Sequence, residues 1–165
     1  MKIIVPNNQK PRLRNTHFRR PRLPQAGNFV PGIGWPNLVE MFRDELDAQI
    51  NQAITADEST FSITLDTKKL IGWSGTICEQ QIPSEDTETF TLNKRATCRM
   101  IKHNTDHEAP LTTEVTFIIR IPKGNRVALL ESVYPGQDVG KLEGDVSSRE
   151  KVVFFGFTHK GETLV

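Results

Sequence analysis

Only one stretch of this chain carries a helical repeat, and that restricts what it can fold into. Trp35, Leu38, Val39, Phe42, Leu46, Ile50 and Ile54 recur at three- and four-residue steps and form a single apolar stripe. Glu40, Asp44, Glu45 and Asp47 lie mostly on the other faces. Pro36 suits a first helical turn, where a missing N–H costs nothing. The spacing predicts one amphipathic helix over 36–54. A lone stripe must be buried against another layer.

The rest of the chain supplies that layer as strands. Phe61, Ile63 and Leu65 alternate with Ser62, Thr64 and Asp66, the pattern of a half-buried strand. Leu70 to Cys78 is interrupted by Gly72 and Gly75, which suggests a bulge or bend. Residues 83–89 read as an acidic loop, and Phe90 to Ile101 as the next strand region. A polar loop over 102–112 follows. Val115–Ile121 and Val127–Val133 flank Pro-Lys-Gly-Asn, a turn signal that predicts a hairpin. Val152 to Phe157 is a last apolar segment. The expected class is α+β: one main helix packed on a mostly antiparallel sheet of five or six strands.

Residues 1–34 look different. They hold five prolines and three glycines and show almost no apolar period, so an extended basic arm is expected there, ahead of a single domain over 35–165. The chain's net charge of +1 hides an asymmetry. Lys2, Lys10, Arg12, Arg14, Arg19, Arg20 and Arg22 face no acid before residue 24, which leaves 14 basic and 20 acidic groups for the remainder. The arm therefore suits phosphate contact, a solvated linker, or a strap across an acidic body. No run approaches the roughly 18 apolar residues of a membrane span, and the apolar start ends at Pro6, too soon for a secretory signal. Two cysteines do not make a disulfide framework. The expectation is a cytoplasmic site of action with reduced thiols and no membrane partner, reached either directly or by delivery within a larger exported protein.

Walker, dinucleotide and Gly-x-Ser-x-Gly signatures are absent. Cys78, Cys98, His103 and His107 lack a Cys-x-x-Cys knuckle, so two thiols and two loop histidines are expected rather than zinc, and no metal or cofactor is called for. The histidines carry the functional signal. His103 and His107 share one polar loop with Lys102, next to Arg99, and His159 follows the last apolar segment. Imidazole both takes and gives protons near neutrality, and cations stabilise a developing phosphorane. Arg99, Lys102, His103 and His107 thus have the composition of a metal-free RNA-cleaving site, in which a 2′-hydroxyl attacks the neighbouring phosphate.

Thr-Glu-Val-Thr-Phe-Ile-Ile-Arg (113–120), Leu-Leu-Glu-Ser-Val-Tyr-Pro-Gly (129–136) and Phe-Phe-Gly-Phe-Thr-His (154–159) resemble the closing strands of the barnase/EndoU/colicin superfamily of bacterial RNase toxin domains. Ser132 stands where that pattern usually has Thr, and about 30 residues follow the Tyr-Pro. The resemblance implies that Ser132 and Tyr134 contact the scissile phosphate. His103 or His107 would act as one acid/base group, His159 as the other, and Arg99 or Lys102 as the charge stabiliser. It also implies RNA as substrate and a cognate immunity or antitoxin protein as partner. Two other readings compete. Phe-Ile-Ile-Arg-Ile-Pro-Lys-Gly-Asn (117–125) resembles a late strand of ADP-ribosyltransferases, although the acids around Gln137–Glu143 are wrongly spaced for that family. A non-catalytic RNA- or protein-binding module of phage, immunity or adaptor type would use the basic arm instead.

Overall fold

The computed structural model describes residues 2–5, 18, 27–56, 59–92, 96–102, 105–124, 127–136 and 152–155. They form an α+β body with two helical segments and eleven short strands in three sheets.

The predicted helix is present as two segments, α1 (Trp35–Met41) and α2 (Arg43–Thr55). Pro36 lies in the first turn, and the Asn37 side chain accepts from the Gly34 N–H at 3.3 Å. Phe42 leaves helical dihedrals (φ −113°, ψ 24°), although bonds from Phe42 N–H to Leu38 O and from Leu46 N–H to Phe42 O run through the joint. The ring of Phe42 meets Phe117 edge-on at 6.2 Å. Leu38, Val39, Phe42, Leu46 and Ile50 are buried as a stripe. Ile54 is not part of it: it is 45% exposed, and Ala53 takes the last buried place. At 3.6 residues per turn, Ala53 lies about 20° from Phe42 around the axis, whereas Ile54 lies about 120° away.

That stripe covers a four-stranded sheet ordered β1 (Lys2–Ile4), β10 (Val127–Pro135), β9 (Glu114–Arg120), β3 (Thr60–Asp66). The predicted hairpin is β9–β10, turning through Gly124 at φ +79°. Its register shifts between Leu130 and Ser132, so Glu131 is an extra residue. Ala128 and Leu130 point into the core before the shift and Val133 after it. The bulge therefore turns Ser132 and Tyr134 onto the sheet's outer face, together with Thr116, Thr64 and Ser62.

A second four-stranded sheet runs β5 (Thr76–Cys78), β11 (Val152–Phe154), β7 (Ala96–Ile101), β6 (Thr87–Leu92). Val153, Phe155, Ile101, Ile82 and Ala109 form its own small buried cluster. The third sheet, β2 (Asn28–Phe29), β4 (Gly72–Trp73), β8 (Leu111–Thr112), links the two. The interrupted stretch 70–78 is thus where the chain changes sheets. Gly72 is required there, because a Cβ would sit 2.5 Å from Asn28 O and 3.1 Å from Pro135 Cβ. Pairing is mostly antiparallel, but β1 with β10 and β11 with β7 are parallel.

Three expectations need correcting. The single helix is kinked into two segments at Phe42. The strands divide among three sheets rather than one, since Gly72–Gly75 and the β8–β9 junction each pass the chain from one sheet to another. The segment read as an arm is part of the body at both its ends: β1 pairs with β10, Val5 is in the main core, β2 pairs with β4, and Phe18 stacks on Phe29 at 4.7 Å. Ile3, Val5, Phe18 and Phe29 supply enough apolar surface for this despite the prolines. Residues 6–17 and 19–26, which hold most of the basic charge, lie outside the described residues.

Candidate functional site

The β6–β7 hairpin decides which polar groups meet. Its register pairs Thr87 with Ile101, and one step further the Lys102 N–H donates to Asp86 O at 2.9 Å. The acidic loop is therefore laid directly beside the histidine loop. A one-turn 3-10 helix, Ser84–Asp86, ends at the strand, and the Thr87 hydroxyl donates to Ser84 O at 2.8 Å, closing that turn. On the other side the Thr105 hydroxyl donates to Lys102 O at 3.0 Å. Ala109 is buried in the small core. His107 is held between these two anchors.

In that setting His107 Nε2–H donates to Asp86 Oδ2 at 2.8 Å, with the two side chains 34% and 32% exposed. An ionised carboxylate can only accept, so the pairing places a proton on Nε2 and orients the ring. Arg99, on β7, forms an ion pair with Glu79 through Nη1 and donates from Nη2 to the Thr87 hydroxyl at 2.8 Å. Those two bonds use two of the five donors in a guanidinium fork. Lys102 is half-buried at the strand's end. The hairpin end thus carries an imidazole oriented by a carboxylate, an Arg99–Glu79 ion pair, and Lys102 joined to Asp86 through the main chain. Such a set can move a proton and hold an anion.

The other candidates are distributed differently. Ser132 and Tyr134 do share one face, as alternation along a strand requires. That face belongs to the other four-stranded sheet, and Tyr134 is only 4% exposed there. Tyr134 sits opposite Thr116, whose buried hydroxyl donates to Gly136 O at 2.8 Å and so accepts from Thr64 at 2.7 Å. Hence Arg99, Lys102 and His107 belong to β7 and the loop that follows it, while Ser132 and Tyr134 lie on a strand of another sheet. His103, His159 and the stretch 137–143 on which an ADP-ribosyltransferase turns lie outside the described residues. Among the described residues no group of three His, Cys, Asp or Glu side chains is placed to hold a metal, and no helix is long and apolar enough to cross a membrane.

Asp86, Glu79 and Thr87 are the members that sequence reasoning left out. Residues 90–101 read as one strand region because Asn93-Lys94-Arg95, between β6 and β7, contains neither Gly nor Pro. Had 87–92 and 96–101 been read as an antiparallel pair, counting would have set Asp86 against Lys102. No protein-family model, no curated protein and no solved structure matches the chain.

Proposed function

We propose that this chain is a metal-independent endoribonuclease of the bacterial toxin type, with His107 as a proton-transfer group. The observation that carries the reading is the Asp86–His107 pair beside Arg99 and Lys102 on one partly exposed hairpin end. In this mechanism His107, oriented by Asp86, exchanges a proton with the 2′-hydroxyl or the leaving oxygen. His103 or His159 performs the complementary transfer, giving a proton to the leaving oxygen if His107 takes the one from the 2′-hydroxyl, and the reverse otherwise. Arg99 and Lys102 offset the charge that builds on the phosphorus oxygens. Ser132 and Tyr134 enter as phosphate contacts only if substrate spans both sheets. RNA is the substrate in this reading, and an immunity or antitoxin protein the partner that masks the site.

The test is incubation of the purified full chain with total RNA in EDTA. Cleavage is expected, and His107→Ala should slow it about 10²- to 10⁴-fold, the usual contribution of a positioned proton carrier. Cleavage by His107→Ala at the wild-type rate, or no cleavage by the wild type, overturns the reading. One observation favours a second reading. Arg99 is already occupied by Glu79 and Thr87, as expected of a group that braces a loop. A binding module predicts RNA or protein association with no strand scission in the same assay.

A further inference from the structure

The Arg99 guanidinium is held in two unlike ways. Its Nη2 donates to the Thr87 hydroxyl at 2.8 Å, and that hydroxyl donates in turn to Ser84 O at 2.8 Å. A hydroxyl carries one proton, so the bond to Ser84 leaves Thr87 an acceptor for Arg99. Thr87 is buried, which keeps this half of the fork in place. The other half is the ion pair from Nη1 to Glu79, whose side chains are 30% and 40% exposed. A pair so open to water is worth little, because both charges recover hydration when they part. A phosphate offers a guanidinium the same charged oxygen acceptors as a carboxylate. Thr87 is therefore a fixed hold on Arg99 and Glu79 an exchangeable one.

We propose that Glu79 is an internal stand-in for phosphate, a latch that occupies Arg99 until a phosphodiester of an RNA strand displaces it. The inference rests on the ribonuclease reading for the identity of the strand, and it gives the occupied guanidinium a part in that reading. Only the Glu79 side chain has to move. Its main chain is anchored on both sides: β5 is paired with β11 up to Cys78, opposite Val152, and beyond the 3-10 turn Glu79–Gln81 the Ile82 side chain is buried in the small core. The Ile82 N–H donates to Glu79 O at 3.3 Å across that turn. A displaced carboxylate hence stays within reach of Arg99 and competes with any incoming anion at an effective concentration on the order of millimolar or above. A lone phosphate meets that competition with one contact. A strand meets it with several, since each further contact raises the local concentration of the next phosphate. Lys102 and the seven cations before residue 24 are the candidates for those contacts. The latch thereby keeps Arg99 shut to small phosphates and yields to a polymer.

Two titrations of the full chain, followed by amide chemical shifts, test this. One uses inorganic phosphate. The other uses a 2′-O-methyl oligonucleotide of about eight nucleotides, which lacks the attacking hydroxyl and so is bound without being cleaved. Glu79→Gln keeps the shape and removes the competing charge, and should tighten both ligands about 3- to 10-fold. Loss of a mere brace would weaken binding or leave it alone, so the direction separates the two roles. Arg99→Gln added to Glu79→Gln should erase the gain. Glu85→Gln, the same charge change at an exposed acid of the adjoining turn, should give less than about 2-fold. An unchanged or weaker affinity in Glu79→Gln overturns the proposal. So does an equal gain from Glu85→Gln, which would reduce the effect to net charge, or a gain for phosphate alone, which would mark a small-anion site. RNA cleavage in EDTA is scored apart from binding. A gain in Glu79→Gln without cleavage by the wild type rejects the nuclease and keeps the latch; cleavage without the gain rejects the latch alone.

Discussion

The two hairpins β9–β10 and β6–β7 have the same topology and opposite characters. In β9–β10 one face carries Val115, Phe117, Ile119, Ala128, Leu130 and Val133, all buried under the helices. Its position follows from apolar area removed from water, at about 25 cal/mol per Å². In β6–β7 the described contacts at the strand ends are polar: Asp86 with His107, Arg99 with Glu79 and Thr87, and the Lys102 N–H with the Asp86 carbonyl. Among the described residues of this hairpin, Ile101 joins the small core and Met100 is also fully buried. The first hairpin supports the main core, whereas the second presents a partly exposed polar cluster that adds little to folding and is where the proposed chemistry would sit.

Phe117→Ala is the strongest challenge to this division. The ring is wholly buried against Phe42, and its loss should cost about 3–5 kcal/mol of unfolding free energy in a urea titration. A loss below about 1 kcal/mol would mean that the helix–sheet core is not the main support. Thr116→Val, on the outer face of the same sheet, keeps the shape but takes the hydrogen bond from Gly136 O and the acceptor from the Thr64 hydroxyl. About 1–3 kcal/mol is expected, read from the same titration.

The polar hairpin should respond in the reverse sense. Asp86→Asn changes a pair that is one-third exposed on both sides, so stability should fall by about 1 kcal/mol or less, while RNA cleavage should drop with the loss of ring orientation. A large loss of stability with cleavage unchanged would assign Asp86–His107 to bracing alone.

The smallest effect concerns pH. Lys68 N–H donates to Asp66 Oδ1 at 2.8 Å, and this bond, reinforced by the Thr113 side chain, holds the Asp66 carboxyl below its ordinary 3.8. A carboxyl lowered on folding favours the native state above its unfolded value and loses that contribution as pH falls through the folded one. Thermal unfolding of Asp66→Asn should therefore depend less steeply on pH below 3.8 than that of the wild type. Matching slopes would show that the turn forms without its carboxylate.

Much of the helix-covered layer was legible in the residues. The stripe from Leu38 to Ile50, the alternation of Phe61, Ile63 and Leu65, and the Pro-Lys-Gly-Asn turn each express a local rule of period or dihedral preference. The end of α2 was misjudged because Ala53 and Ile54 are adjacent, and the axis angle chose the smaller residue. For the site, Arg99, Lys102 and His107 were visible as neighbours along one strand and loop. Asp86 was not, because its approach depends on the pairing of β6 with β7, which no local pattern marks.

The order of elements, the α+β class and the identity of the apolar stripes were determined by the sequence itself, since side-chain period acts over a few residues and needs no distant partner. Only the tertiary structure decided the rest. A one-residue bulge at Glu131 chose the face of Ser132 and Tyr134, the division into three sheets put that pair in a different sheet from Arg99, and the β6–β7 register brought Asp86 beside the histidine loop. These outcomes depend on which strand lies beside which. Pairing is selected by burial and hydrogen bonding between residues far apart in the chain, and local pattern carries no record of that choice.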